Sequence, residues 1–231
     1  MRFKFEKMLL IAFACSGLLA CGGGGSTATT GITASVLAFP LKSGANNLIV
    51  SGYSKAFTVS GTCTGSANIS RSGATSGATF EGSSALSAVE TITASYTGCS
   101  VSSAASSVTG YYDSNYVGLG YSSSTRYGVF RSPPVIPTTV TVGMTAIIGS
   151  ENLYTNSSKA TSAGRSDISF VIEPDSSTTA IVNVIGKDYD TSNALLSTVQ
   201  SRFRIDASGL LTSVSVDVQY STTSTTHLFY Q

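Results

Sequence analysis

The sequence predicts an all-β protein, built as an antiparallel sandwich or as a curved meander of hairpins. Apolar and polar residues alternate with a period of two, as in SVSVDVQY at 213–220, which is typical of strands with one buried face. Polar segments that contain glycine or aspartate separate these stretches, as hairpin turns do. Ser, Thr, Gly, Ala, Val and Tyr are frequent, and Lys, Glu and Leu are scarce outside a few positions, so strands are favoured over helices.

The first twenty residues predict a signal peptide at 1–20. Arg2, Lys4 and Lys7 precede an apolar run that begins at Met8. The run is about a dozen residues long, short of the roughly 20 that a spanning helix needs.

The tetrad Leu18-Leu19-Ala20-Cys21 resembles the lipobox of bacterial lipoproteins. The resemblance implies cleavage before Cys21, acylation of that cysteine by fatty acids such as palmitate, and a membrane as the partner of the lipid anchor. Gly22 stands where an aspartate tends to retain a lipoprotein at the inner membrane, so the resemblance implies a location at the cell outer membrane, facing the periplasm or the surface. The alternative is an ordinary secretory signal. If the lipobox is used, residues 21–33 form the lipidated cysteine and a Gly/Ser/Thr tether.

Cys63 and Cys99 are the two cysteines left once Cys15 departs with the signal and Cys21 is acylated. In an oxidising periplasm they are expected to form a disulfide, which closes a small N-terminal β module at 34–131. A redox or metal pair would require closer spacing.

The charge balance argues against nucleic acid as a partner. Without residues 1–20 the chain keeps 10 of its 13 Lys and Arg and 11 of its 12 Asp and Glu, a net charge of about −1. Nucleic-acid binding normally needs a basic stripe, and the sequence has none.

The N-terminal module is predicted to contain strands around Cys63 and Cys99. A change of parity before Cys99 predicts a bulge at Gly98. The intervening residues 64–88 predict short strands and loops. The segment 132–137, with three prolines, predicts a linker or an edge crossing.

The C-terminal antiparallel domain is predicted at 138–231. Residues 166–173 and the doubly apolar 180–186 predict two strands joined by a turn at 173–176. A hairpin is predicted from the alternation at 199–205 and 214–220, with its turn at 207–209.

Three aspartates, Asp113, Asp190 and Asp206, are predicted to form Asx-turns, because each follows an apolar or aromatic residue and precedes small polar ones. Asp188, Asp190 and Ser192 also have the spacing of a calcium loop. Asn193 and Val199 stand where an EF-hand requires Gly and Glu, so the EF-hand is excluded and a weak calcium site of another kind is left open.

Catalytic motifs are absent from the sequence, and we predict no enzyme, no metal site and no cofactor. His227 is the single histidine and no G-x-S-x-G elbow occurs. A carboxylate pair for glycoside hydrolysis would come from the four glutamates Glu81, Glu90, Glu151 and Glu173, whose spacing singles out no pair.

A cluster of tyrosines is the strongest binding candidate. It consists of Tyr111, Tyr112, Tyr116, Tyr121 and Tyr127. Exposed aromatic rings can stack on sugars or hold peptides, but the same rings can simply pack on a sheet. The sequence therefore predicts a non-catalytic envelope lipoprotein with a structural or binding role, and with an envelope protein or glycan as a candidate partner. The alternatives are a hydrolase of envelope glycan or peptide, or a carrier of a hydrophobic ligand inside a curved sheet.

Overall fold

The computed structural model describes residues 33–99, 101–221 and 225–229, the last of these without side chains. One helix and thirteen strands lie in this part of the chain: α1 (Leu41–Ser51), β1 (Tyr53–Gly61), β2 (Thr64–Arg71), β3 (Thr75–Phe80), β4 (Ser83–Thr97), β5 (Ser103–Tyr112), β6 (Gly118–Ser123), β7 (Tyr127–Phe130), β8 (Thr145–Tyr154), β9 (Ser162–Pro174), β10 (Thr179–Tyr189), β11 (Leu195–Asp206), β12 (Leu211–Tyr220) and β13 (Thr225–Phe229). The prediction of an all-β protein is confirmed.

The strands form one curved antiparallel sheet that closes on itself like a barrel. From β3 to β13 each strand pairs with the next one along the chain. β1 pairs with β13 and with β2, and β2 pairs in turn with β4, which completes the ring. β2 and β3 lie one after the other along the same edge of β4. Of the two predicted architectures, the sandwich and the curved meander of hairpins, the structure therefore has the curved meander.

The two ends of the ring carry different structures. We call the end that holds α1 and the connections at 113–117, 131–144, 175–178 and 207–210 the helix end. The opposite end, with Cys63, Cys99 and the connections at 124–126, 155–161 and 190–194, is the disulfide end.

α1 lies against the helix end and buries one side in the ring. Leu41, Ala45 and Ile49 are buried, and the Ile49 carbonyl oxygen accepts a hydrogen bond from the Ala74 N–H. Sequence reasoning predicted no helix here. The segment contains glycine, two asparagines and β-branched residues, all weak helix formers, and no side chain caps its first turn. Burial against the sheet therefore stabilises α1 more than its own propensity does.

The interior of the ring is filled by inward side chains in two hydrophobic clusters. Near the helix end, Phe170, Val184 and Phe203 of β9 to β11 pack with Phe39 and Leu41. Near the disulfide end, inward side chains of β1, β2, β4 and β12 pack around Cys63. Period-two alternation in the sequence thus corresponds to an inner and an outer face of the ring.

The predicted Asx-turns are confirmed, and they share one pattern of hydrogen bonds. In each turn one carboxylate oxygen of the aspartate accepts the N–H groups two and four residues further on, at 2.8 to 3.0 Å. Asp113 closes the β5–β6 turn, Asp190 the β10–β11 turn and Asp206 the β11–β12 turn.

The disulfide is also confirmed. Cys63 and Cys99 are bonded, with their Cα atoms 5.7 Å apart, and they connect the β1–β2 turn to the end of β4. The predicted bulge at Gly98 is wrong. β4 ends at Thr97, and Gly98 takes a φ of 78° in the connection to β5, so the change of parity comes from a turn.

The proline-rich segment 132–137 belongs to the β7–β8 connection. The Val135 N–H donates to the Ile148 carbonyl oxygen at 2.8 Å, and β7 and β8 pair directly. Strands from both predicted domains therefore share one sheet, while the domain boundary itself stays a prediction.

Two predicted regions lie outside the described residues: the signal peptide at 1–20 and Cys21 with its tether up to residue 32. Among the residues that are described, no helix has the length and apolar character needed to cross a membrane.

Candidate functional site: a cavity inside the sheet

A cavity of about 90 Å³ lies inside the ring, toward the helix end. Its walls are mostly apolar: Ile49 of α1, Phe130 of β7 and Ile168 of β9 contribute side chains, and Pro134 and Ile136 of the β7–β8 connection close one side. Three charged residues, Arg71, Glu90 and Glu151, also reach it. An apolar pocket with a few converging polar groups is the usual form of a small-molecule site.

Glycines in β5 to β7 make room for the tyrosine rings beside the cavity. A Cβ atom on Gly128 would lie 2.1 Å from the ring of Tyr121, and one on Gly110 would lie 2.7 Å from the Tyr112 hydroxyl. Both distances are far shorter than any van der Waals contact. The mixture of Gly and Tyr between 110 and 128 therefore reflects close packing of inward rings against bare backbone.

Glu151 is the most unusual group at the cavity. Its side chain comes from β8, it is 6% exposed, and no hydrogen bond from its carboxyl group to another described residue is present. Burial, together with the nearby charge of Asp188, raises the pKa of Glu151 to about 8. The carboxyl group is therefore mainly protonated and neutral at pH 7.

An ion pair lies next to Glu151 on the side of the disulfide end. Arg126 and Asp188 approach to 3.5 Å between Nη1 and Oδ2, and both side chains are nearly buried. The Tyr121 hydroxyl is buried without a hydrogen-bond partner among the described residues. Burial, with Glu151 and Asp188 as further causes, raises the pKa of Tyr121. Tyr121 and Glu151 both line the cavity, and the buried Tyr121 hydroxyl lies near the Glu151 carboxyl group.

A second polar group at the cavity lies at the ends of β2 and β5. Arg71 is 8% exposed and donates from Nη2 to the Tyr112 hydroxyl. The Tyr53 hydroxyl donates to Glu90 Oε2 at 3.0 Å. Burial raises the pKa of Glu90, while the positive charge of Arg71 opposes that shift. Arg71 thus has both a hydrogen-bond acceptor and a nearby carboxyl group, as a buried cation requires.

The five predicted tyrosines do not form one exposed surface. Tyr112 and Tyr121 point into the ring and line the cavity, where Tyr116 of the β5–β6 turn joins them. Tyr111 and Tyr127 pack outside the ring on Phe80, with ring centroids 4.6 and 5.2 Å from its ring. The β3–β4 hairpin therefore folds over the outer face of β5 to β7. A ligand-binding role for the five tyrosines stays a prediction.

The other sequence candidates lie apart from one another. Glu81 is at the β3–β4 turn and contacts Lys159 and the Tyr127 hydroxyl. Glu173 lies on the outer face of β9, where it accepts a hydrogen bond from Asn183. His227 lies in β13, and its backbone is in register with Ser60 and Asp217.

The geometry gives little support to a calcium loop. Asp188 faces the interior beside Arg126, whereas Asp190 closes the β10–β11 turn. Within residues 33–99, 101–221 and 225–229, no three or more His, Cys, Asp or Glu side chains are grouped so as to hold a metal ion.

Sequence reasoning considered Glu151 as a catalytic carboxylate and did not recognise Arg71. A signal for Arg71 was present, because Ala67, Ile69 and Arg71 have the same parity in β2 and the first two are apolar. Glu151 was harder to place. An irregularity between Ile147 and Gly149 changes the parity of β8, so the inward face cannot be read by simple alternation.

The fold and the cavity define a class of protein: an all-β chain whose closed sheet surrounds a small site with buried charges. No family model, no curated protein and no solved structure matches this chain.

Proposed function

We propose that this chain is a non-catalytic lipoprotein of the cell envelope, anchored to the outer membrane through Cys21, that binds a small molecule inside its sheet. The observation that carries the binding role is Glu151, a buried carboxyl group that faces an apolar cavity and has no hydrogen bond to a described residue. A ligand that forms a hydrogen bond with this carboxyl group would supply a partner that the described residues do not.

The size of the cavity limits the ligand. An apolar cavity of about 150 Å³ is large enough for benzene. A cavity of about 90 Å³ therefore fits a molecule smaller than benzene, or one end of a longer chain. Ile49, Phe130 and Ile168 would surround its apolar part.

The polar end of the ligand would lie at Glu151. Because this group offers an O–H donor at neutral pH, a carbonyl, ether or hydroxyl oxygen is the fitting partner. Small apolar ketones and alcohols are therefore the first class to test.

The test compares Glu151→Gln with the unaltered protein. A panel of small ketones, alcohols and hydrocarbons of equal size is screened by thermal shift and by ligand-observed NMR. We expect the oxygen-bearing compounds to bind at least tenfold better than the hydrocarbons, and Glu151→Gln to change that ratio. Glu173→Gln, a change on the outer face, is the matched control and should leave binding unaltered. Equal binding of all compounds, or none, contradicts the proposal.

The anchor is tested separately by the intact mass of the protein purified from membranes. The expected mass corresponds to a chain that begins at Cys21, with fatty acyl groups added and the Cys63–Cys99 bond present. A chain that keeps residues 1–20, or that carries no acyl group, contradicts the anchoring.

A hydrolase is the second candidate, because Glu90 and Glu151 line the same cavity. Two carboxyl groups with raised pKa could supply a general acid. Turnover of envelope glycans or peptides that is lost in both Glu90→Gln and Glu151→Gln would favour it over the binding role. Inactivity of the folded wild-type protein on all of these substrates would count against it.

A further inference from the structure

Exposed hydrophobic side chains gather at the helix end of the ring. The four most exposed large hydrophobic residues in the described part of the chain are Val36, Ile147, Val135 and Leu210, with exposed fractions of 93, 77, 67 and 63%. Leu195, at the disulfide end, is 36% exposed. On most soluble proteins, exposed apolar side chains are spread singly over the surface. Here the most exposed ones lie at one end of the molecule.

Different elements bring the four side chains to this end. Val36 lies three residues before Phe39, whose backbone pairs with Val140 in the β7–β8 connection. Val135 lies in the same connection and bonds to the start of β8, near Ile147. Leu210 follows the turn that packs on Pro40. None of these positions lies in an alternating core pattern, so fold stability does not explain why they are apolar.

The chain enters the fold at the same end. The described residues begin at Thr33, six positions before Phe39. Cys21 is 12 positions before Thr33 in the sequence. A bilayer that holds Cys21 would therefore be connected to the fold at the helix end, through a short segment of the chain.

We propose that the helix end docks on the lipid bilayer that holds the anchor, with Val36, Val135, Ile147 and Leu210 in its interfacial region. This inference rests on the proposed acylation of Cys21. The acyl groups on Cys21 would hold the protein at the bilayer, and apolar side chains that enter the interfacial region would add to that binding. Docking also fixes an orientation. Pro134 and Ile136 form a wall of the cavity on either side of exposed Val135, so this wall would lie beside the bilayer.

The absence of tryptophan from the sequence allows a direct test. Ile147→Trp and Val135→Trp place one fluorophore at the helix end, and Leu195→Trp is the matched control at the disulfide end. Each full-length, acylated variant is bound to vesicles of phosphatidylethanolamine and phosphatidylglycerol whose acyl chains are brominated. We expect the emission of the two helix-end variants to shift to the blue and to be quenched at least twofold, and that of Leu195→Trp to stay unchanged.

The outcomes separate this inference from the anchor. If the protein floats with the vesicles but the three variants are quenched equally, or none is quenched, the anchor holds and the docking orientation is wrong. If the mass shows no acyl group and the protein does not float, both proposals are overturned. If the helix-end variants shift to the blue without vesicles and the molar mass doubles in light scattering, a second copy covers this face and the membrane proposal fails.

Discussion

At the scale of single residues, the interior of this protein combines a hydrophobic core with buried ionisable groups that are only partly neutralised. Arg71 has Tyr112 and Glu90 near it, and Arg126 has Asp188. Glu151 has none of these compensations and is neutralised by a proton instead. Its protonation therefore couples the stability of the fold to pH.

The first prediction concerns this coupling at Glu151. The folded-state pKa of about 8 is above the ordinary value of 4.5, so between these pH values the folded protein holds one proton more than the unfolded chain. The free energy of unfolding therefore falls as pH rises through this window, by up to about 1.4 kcal/mol per pH unit. Below pH 4.5 the group adds no pH dependence, and above pH 8 the full loss is present.

Urea unfolding of the wild-type protein and of Glu151→Gln at several pH values between 4 and 9 measures this effect. Because glutamine does not titrate, the difference in unfolding free energy between the two proteins should move in favour of the variant as pH rises. A difference that stays constant across the window would show that Glu151 ionises normally.

The second prediction concerns the buried cation Arg71. Arg71→Met removes the positive charge that opposes the raised pKa of Glu90 and leaves the Tyr112 hydroxyl without its donor. We expect a loss of about 3 kcal/mol in urea unfolding, because one partner of a buried polar group is removed. Arg131→Met, at an exposed arginine, is the matched control and should change stability by about 0.5 kcal/mol or less. Equal effects of the two changes would contradict the prediction.

At the scale of elements, α1 is held by a close approach that only glycine permits. A Cβ atom on Gly44 would lie 2.3 Å from the Gly209 carbonyl oxygen in the β11–β12 turn. The contact is with backbone, which cannot rotate away as a side chain can. The packing of α1 on the sheet thus depends on a residue that weakens the helix itself.

The third prediction follows from this contact. Gly44→Ala should raise the intrinsic helix propensity and yet lower the melting temperature, because α1 must move away from the turn, at a cost of about 1–3 kcal/mol. Asn47→Ala, at an exposed position of the same helix, raises propensity without a contact and should leave stability equal or slightly higher. Stabilisation by both changes would show that the close approach is absent in solution.

The elements that were predicted well are those whose structure depends on a single local sequence pattern. Residues 180–186 lie inside β10, the hairpin at 199–220 is present, and the three aspartate turns form through the short-range hydrogen bonds that were expected. Strand alternation and Asx-turns depend on neighbouring residues only, so they can be read from local sequence.

The features that the sequence did not predict depend on distant partners. α1 has weak propensity and is stabilised by the sheet, while the β3–β4 hairpin consists mainly of small residues that carry little pattern. Irregularities in β8 and β12 shift the pairing by one residue, so that Ser213, and not Val214, lies opposite Phe203. The cavity combines residues from α1 and several strands, and no local signal shows that they meet.

At the scale of the whole molecule, ring closure depends on pairings that are not between consecutive strands. β13 returns to β1, and β2 reaches across the β3–β4 hairpin to pair with β4. Such contacts close long loops and therefore form late and at high entropic cost. The Cys63–Cys99 bond lies directly beside the first β2–β4 pair, Thr64 with Thr97. The disulfide thus fastens the seam where the ring is completed.

The last prediction tests this role of the disulfide. In the chain-entropy model a cross-link across 36 residues contributes about 3–4 kcal/mol, so dithiothreitol should lower the unfolding free energy of the wild-type protein by that amount. A variant with Cys63→Ser and Cys99→Ser should have the lower stability from the start and should not respond to the reductant.

Hydrogen exchange then shows which part of the sheet the disulfide stabilises. Because the bond fastens the seam, amides in the β2–β4 pairing should exchange faster in the variant, whereas amides in the β9–β10 pairing should keep their protection relative to global unfolding. Uniform acceleration in both pairings would mean that the disulfide stabilises the chain as a whole and has no particular role in closing the ring.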